Sequence, residues 1–166
     1  MESKKMRILI ISDTHGKHNR LNEIQEEAGD IDLLIHLGDI ADGEFYLDVL
    51  FDCPKHLIRG NNDFFLDLPE EKIFQLGKYK VWITHGHQYY VYSGTKVLEQ
   101  EGREKGADIV MFGHTHLPYL KEKDGIILLN PGSVGYPRQE GRRPSFMIME
   151  MTEDGQLTFD QRFLPL

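Results

Sequence analysis

Arg7-Ile8-Leu9-Ile10-Ile11-Ser12-Asp13-Thr14-His15-Gly16 is the stretch from which the fold can be read. Its apolar residues are continuous rather than alternating, so a strand over Arg7 to Ser12 is expected to be buried on both faces. Polar residues arrive only where the apolar run stops, and they stand beside a glycine. The arrangement recurs. Ile31 to His36 precedes Gly38-Asp39-Ile40-Ala41-Asp42, and Lys55 to Arg59 precedes Gly60-Asn61-Asn62-Asp63. Val81 to Thr84 runs into His85-Gly86-His87, and Asp108 to Phe112 into Gly113-His114-Thr115-His116. In α/β sheets ligands bind beyond the carboxyl ends of the strands, so these five segments should converge on one edge.

Amphipathic stretches separate the strands. His18 to Gly29 carries Leu21, Ile24 and Ala28 at helical spacing with Gly29 as a stop, and Glu44 to Phe51 and Gly94 to Lys105 read as further helices. The last third changes character. Pro118 to Lys123, Ile126 to Asn130, Ser145 to Met151 and Leu157 to Phe163 are strand-like, with Asp124-Gly125 and Asp154-Gly155 as hairpin turns. The expectation is an α/β fold in which β-α alternation feeds one sheet and the hairpins build a second. Pro137 to Pro144 reads as an exposed loop. Repeats and linkers are absent, so residues 1–166 read as a single domain.

Composition narrows the function. A chain of 166 residues, 40% hydrophobic and 28% charged, is ordinary for a globular protein. Nineteen basic against twenty-seven acidic side chains leave a net charge of −8, which argues against a nucleic-acid-binding module. The single cysteine, Cys53, excludes an internal disulfide framework and a CxxC zinc knuckle. Behind Met1-Glu2-Ser3-Lys4-Lys5 the apolar run is only Ile8 to Ile11, too short for a leader peptide or a membrane span. A soluble, cytoplasmic protein is expected, and a homo-oligomer is compatible with this reading.

Each polar segment has an ordinary explanation by itself. Asp13 could brace the loop before the first helix, and Asn61-Asn62-Asp63 could be a turn. Independent turns, however, have no reason to concentrate Asp, Asn and His on one edge. Asp13, His15, Asp39, Asn61, His85, His114 and His116 together offer oxygen and nitrogen donors and no thiolate. Such donors suit Mn²⁺, the ion expected first, or Zn²⁺, Fe²⁺, Ni²⁺ or Co²⁺. Seven ligands serve two ions only when one carboxylate bridges, which sets the ions about 3.5–4 Å apart. A bridging water there loses a proton readily and becomes a hydroxide nucleophile at neutral pH. Two divalent ions, two carboxylates and a hydroxide leave one net positive charge. The centre should therefore attract a small anion such as a phosphate ester.

In order and in residue type, the five segments resemble the motifs of the calcineurin-like metallophosphoesterases, over about two-thirds of the chain. The short length and Leu129-Asn130-Pro131-Gly132-Ser133 resemble the small bacterial and archaeal phosphodiesterase branch most. The resemblance implies a four-layer α-β-β-α sandwich of two mixed sheets, with Asp39 as the bridge. Asp13, His15 and His116 would hold one metal, and Asn61, His85 and His114 the other. Asp39, Asn61 and His85 are the expected catalytic residues. Asp42, Asn62, Asp63 and His87 would orient the ligands or brace their loops.

One position departs from the larger family. Many members have His where this chain has Asn62, and an amide offers no proton that titrates in the useful range. Among the remaining residues, His18 and His56 read as solvent-facing and His36 as a hydrogen-bonded core residue. Tyr89, Tyr90 and Tyr92 carry no assigned role, and residues 87–94 and 134–144 are the expected recognition loops. The competing reading is a non-catalytic binding scaffold on the same fold, like the metallophosphoesterase-like subunit of the endosomal sorting coat. The complete donor set favours an enzyme. A metallo-β-lactamase-like hydrolase would need an HxHxDH run, which the sequence lacks.

Overall fold

The computed structural model describes residues 5–166. Residues 1–4, and with them most of the N-terminal segment read above as too short for a leader, lie outside the described residues. Strand β1 (Met6–Ile11) is followed by α1 (Leu21–Ala28), β2 (Leu33–His36), α2 (Glu44–Leu50) and β3 (Lys55–Leu57). Then come β4 (Glu71–Leu76), β5 (Tyr79–Thr84), α3 (Lys96–Glu104) and β6 (Ile109–Met111). The chain closes with β7 (Pro118–Lys123), β8 (Ile126–Pro131), β9 (Ser145–Met151) and β10 (Leu157–Phe163). Among the described residues no helix is long and apolar enough to cross a membrane.

Two five-stranded mixed sheets result, in the orders β10-β9-β1-β2-β3 and β4-β5-β6-β8-β7. The continuous apolar runs are explained by the layers around them. On β1, Ile8 and Ile10 face the other sheet, where they join Val81, Ile83, Ile109 and Met111. Leu9 and Ile11 point the opposite way, into a cluster with Leu21 and Ile24 of α1 and Leu47 of α2. Strand residues alternate between faces, so a strand between two apolar layers must be apolar throughout. Trp82, Val110 and Leu128 do the same for the second sheet against Leu98 of α3. The layers are thus α-β-β-α.

The expected division of the chain between sheets is wrong. The final hairpin, β9–β10, joins the first sheet, with β9 antiparallel to β1. Strands β5 and β6 belong to the second sheet, where β5, β6 and β8 run parallel. Strand β4, absent from the sequence reading, pairs antiparallel with β5 at the edge. His56 and His18 are not solvent-facing as expected. The His56 ring stacks on Phe74 of β4 at 3.9 Å, closing one side of the sandwich, and His18 stacks on Tyr46 at 4.9 Å.

Candidate metal centre

The loops after β1, β2 and β3 of one sheet meet those after β5 and β6 of the other. Backbone hydrogen bonds lace them together: Asp13 N–H donates to Gly38 O (3.0 Å), His15 N–H to Asp39 O (2.8 Å) and Gly113 N–H to His85 O (3.0 Å). At several points the approach is too close for a side chain. A Cβ on Gly60 would collide with Asp39, and one on Gly113 with Ser12 and Asp13. Close approach leaves the intervening side chains aimed at a common point.

Four ring nitrogens define it. His85 Nδ1 lies 2.8 Å from Leu37 O and His116 Nδ1 lies 2.7 Å from Tyr136 O. A carbonyl only accepts, so both Nδ1 atoms carry protons and both Nε2 lone pairs point inward when the rings are neutral. His116 Nε2 sits 3.3 Å from His15 Nε2, and His85 Nε2 sits 3.3 Å from His114 Nδ1. Between these pairs stand two carboxylates. Asp13 Oδ1 is 3.3 Å from His116 Nε2, 3.6 Å from His15 Nε2 and 3.7 Å from His85 Nε2. Asp39 Oδ2 is 3.5 Å from His15 Nε2 and 3.3 Å from His85 Nε2.

Orphaned oxygens supply the test of fit for a metal. Asp13 Oδ2 accepts from Ser12 Oγ (2.6 Å) and from His114 N–H (3.0 Å), whereas the buried Oδ1 has no hydrogen-bond partner among the described residues. The buried Oδ1 of Asn61 is also without one. A buried carboxylate oxygen left without a donor is costly, and cations are the usual remedy. Asp13–His15–His116 and Asp13–Asp39–His85 each bring their donor atoms within 4.8 Å of one another. The residues fit divalent cations.

Electrostatics agree. Burial works against ionisation of Asp13, but His116, His15 and His85 outweigh it and hold the carboxyl far below its usual range. For Asp39 burial is likewise outweighed, by His85 and the Asn62 N–H, and its pKa is lowered to about 2. Burial alone would lower His85, yet Asp13 and Asp39 raise it to about 9. Burial and the neighbouring His85 lower His114 to about 4. The two carboxylates call for positive charge, which a proton on His85 or a metal ion can supply in competition.

The other expected residues fall as follows. Asn62 donates its backbone N–H to Asp39 Oδ1 and its side-chain NH₂ to Asp39 Oδ2, each at 3.0 Å. Asp63 accepts from the N–H groups of Ile40, Ala41 and Gly60, tying the second loop to the third. Asp42 touches none of the seven donor residues; its exposed carboxylate lies 3.4 Å from His18 Nε2. His87 lines a groove of about 430 Å³ with Arg59, Asn61, Phe64 and Glu70.

A profile of the calcineurin-like phosphoesterase superfamily domain matches residues 6–154. The chain belongs to this superfamily. A probable metallophosphoesterase of Methanocaldococcus jannaschii, MJ0623, is 35% identical over 166 residues, covering 97% of this chain and 82% of that protein. A solved archaeal phosphodiesterase is 25% identical with a TM-score of 0.70, covering 95% of this chain and all of that one. Wild-type Vps29 of Entamoeba histolytica complexed with Zn²⁺ is also 25% identical, with a TM-score of 0.74 over 95% of this chain and 99% of that one.

Sequence reasoning missed how this phosphoesterase domain holds its loops. Asn130 donates to Gly113 O and Thr115 Oγ1, and Ser133 Oγ donates to Asp13 O at 2.8 Å. Leu129-Asn130-Pro131-Gly132-Ser133 is therefore a buried platform beneath the site. Its signal was a polar Asn at the end of an apolar run. Tyr92 was missed too: its ring lies 4.7 Å from that of His114 and its hydroxyl donates to His114 O at 3.1 Å.

Proposed function

We propose that this chain is a metal-dependent phosphodiesterase that hydrolyses small phosphodiesters in the cytoplasm with two divalent cations. One observation carries the reading: two pairs of imidazole nitrogens face each other at 3.3 Å beside a buried carboxylate oxygen that lacks a donor. Asp13, His15 and His116 would hold one cation, Asn61, His85 and His114 the other, with Asp39 shared. The mixed donors suit Mn²⁺ first. Divalent cations there supply Lewis acidity toward the phosphoryl oxygens and a deprotonated water at neutral pH.

The chain's own contribution is to fix the ligands before substrate arrives. Leu37 O and Tyr136 O set the tautomers of His85 and His116. Ser12 and the His114 N–H fix one oxygen of Asp13 and turn the other inward. Asn62 uses one of its two amide N–H donors on Asp39, and an amide has no titratable proton to pass to a leaving group. The net charge of −8 suits a small ester better than a nucleic acid.

Zinc binding does not separate this reading from a scaffold role, since a Vps29 has been crystallised with Zn²⁺. Turnover does. Asp39→Ala should abolish hydrolysis of bis(4-nitrophenyl) phosphate with Mn²⁺. Asp42→Ala, whose carboxylate lies against His18 at 3.4 Å, should retain most of it. An equal, modest loss in both would refute the role of Asp39, and no turnover in wild type would leave the scaffold.

A further inference from the structure

Two basic side chains stand on tyrosines that pack against candidate ligands. Arg138 Nη1 donates to Tyr92 Oη at 2.8 Å, and that hydroxyl donates onward to His114 O. The Arg138 backbone N–H donates to His116 O at 3.2 Å, so the residue is anchored at both ends. On the other flank Tyr136 meets the His15 ring edge-on at 5.3 Å, and Lys17 Nζ lies 3.9 Å above the Tyr136 ring. Neither Lys17 nor Arg138 belongs to the ion-paired basic residues of the described chain. Both are exposed, in a protein of net charge −8.

We propose that Lys17 and Arg138 form a cationic rim that binds a second anionic group on one arm of the phosphodiester, so that the preferred substrate carries more than one phosphate or carboxylate. This rests on the phosphodiesterase reading of the same site and deepens it. A surface arginine alone would be unremarkable; what matters is its tethering. An arginine held through Tyr92 loses little further freedom on meeting an anion, so more of the interaction energy appears as affinity. Only one of its five N–H donors is engaged by the side-chain bond to Tyr92. The others are available for a bidentate contact with phosphate or carboxylate. Tyr92 and Arg138 come from residues 87–94 and 134–144, so their hydrogen bond joins the two segments expected to govern recognition. Tyr92 is here a positioning residue: it would act through Arg138.

The test compares two substrates with the same leaving group, thymidine 5′-(4-nitrophenyl phosphate) and the same compound bearing a 3′-phosphate, both assayed with Mn²⁺. In wild type the 3′-phosphorylated ester should have the lower KM, and its KM should rise more steeply with salt. Arg138→Ala and Lys17→Ala should each raise that KM by about tenfold more than they raise the KM of the monoanion. Tyr92→Phe should move the same difference in the same direction, and Arg138→Lys should restore part of it. Equal KM values and equal salt slopes for the two esters in wild type would overturn the proposal while leaving the phosphodiesterase reading intact. Equal losses on both esters in the variants would also overturn it, because the cations would then act on the reacting phosphoryl group. No turnover of either ester would count against the phosphodiesterase reading itself.

Discussion

Five of the seven candidate metal-binding residues hold backbone conformations that side chains normally avoid. Asp13, His15, Asp39, His114 and His116 have φ of 53°, 50°, 58°, 70° and 63°. Each such residue costs about 1 kcal/mol or more and persists only where its surroundings dictate it. Here the lacing between loops does so. Asn62 is tied to Asp39 by its backbone N–H and one side-chain N–H, and its amide does not titrate in the useful range. With no proton to give from that position, the leaving group should depart with most of its charge. The rate should depend steeply on leaving-group quality: nitrophenyl diesters should outpace simple alkyl diesters, since general-acid help is worth about 10²–10⁴-fold. The check is the slope of log kcat against leaving-group pKa, expected to be strongly negative. A slope near zero with chemistry rate-limiting would mean that another residue donates the proton.

His36, at the end of β2, shows what a buried histidine does when it is not a candidate ligand. Its Nδ1 accepts from Gly38 N–H (3.1 Å), so its Nε2 carries the proton and donates to Thr14 Oγ1 (3.0 Å). Burial pushes its pKa down from the ordinary 6.5 to about 4. Above the ordinary value neither folded nor unfolded chain protonates it, and its contribution to stability is complete. Below that value the unfolded chain takes up a proton that the fold refuses, so stability falls as pH drops toward 4. The total loss should be about 3 kcal/mol. Ring resonances followed by NMR should show His36 still neutral at about pH 5.5. Titration near its ordinary value would contradict the burial argument.

At the scale of elements, α3 depends on one absent side chain. A Cβ on Gly102 would lie 2.7 Å from Val110 Cγ2 and 3.1 Å from Ile126 Cδ1, inside the layer that joins α3 to the second sheet. Alanine would gain about 1 kcal/mol of helix propensity but meet an overpacking cost of about 1–3 kcal/mol. Gly102→Ala should therefore lower the urea midpoint, and adding Val110→Ala should recover part of the interaction. A Gly102→Ala protein more stable than wild type would show that the interface yields easily. The same scale shows what the sequence could and could not disclose. Strands buried on both faces were legible because Ile8 to Ile11 and Leu33 to Ile35 leave no polar alternation. Strand β4 was not, because Glu71-Lys72-Ile73-Phe74-Gln75-Leu76 is an edge strand whose charges and exposed Ile73 blur the pattern. The short turn at Gly77-Lys78, with Gly77 at φ 57°, was its available signal. The pairing of β9 with β1 is a contact between distant segments that local patterning does not encode. The candidate donors could be named because each follows a strand. Their tethers could not, because Asn130, Ser133 and Tyr92 act across the fold.

Across the whole molecule, two sheets meet so that the carboxyl ends of their parallel strands face one another over a single cluster. Neither sheet holds a complete set: Asp13, His15, Asp39 and Asn61 follow strands of one, and His85, His114 and His116 those of the other. Metal binding and the docking of the two sheets should therefore be coupled. The most direct test of the central claim is a titration of metal-free protein with Mn²⁺, following bound metal and hydrolysis of bis(4-nitrophenyl) phosphate together. Turnover should rise to a plateau at about two ions per chain. Saturation at one ion, or no turnover with any of Mn²⁺, Ni²⁺, Co²⁺ and Zn²⁺, would contradict it.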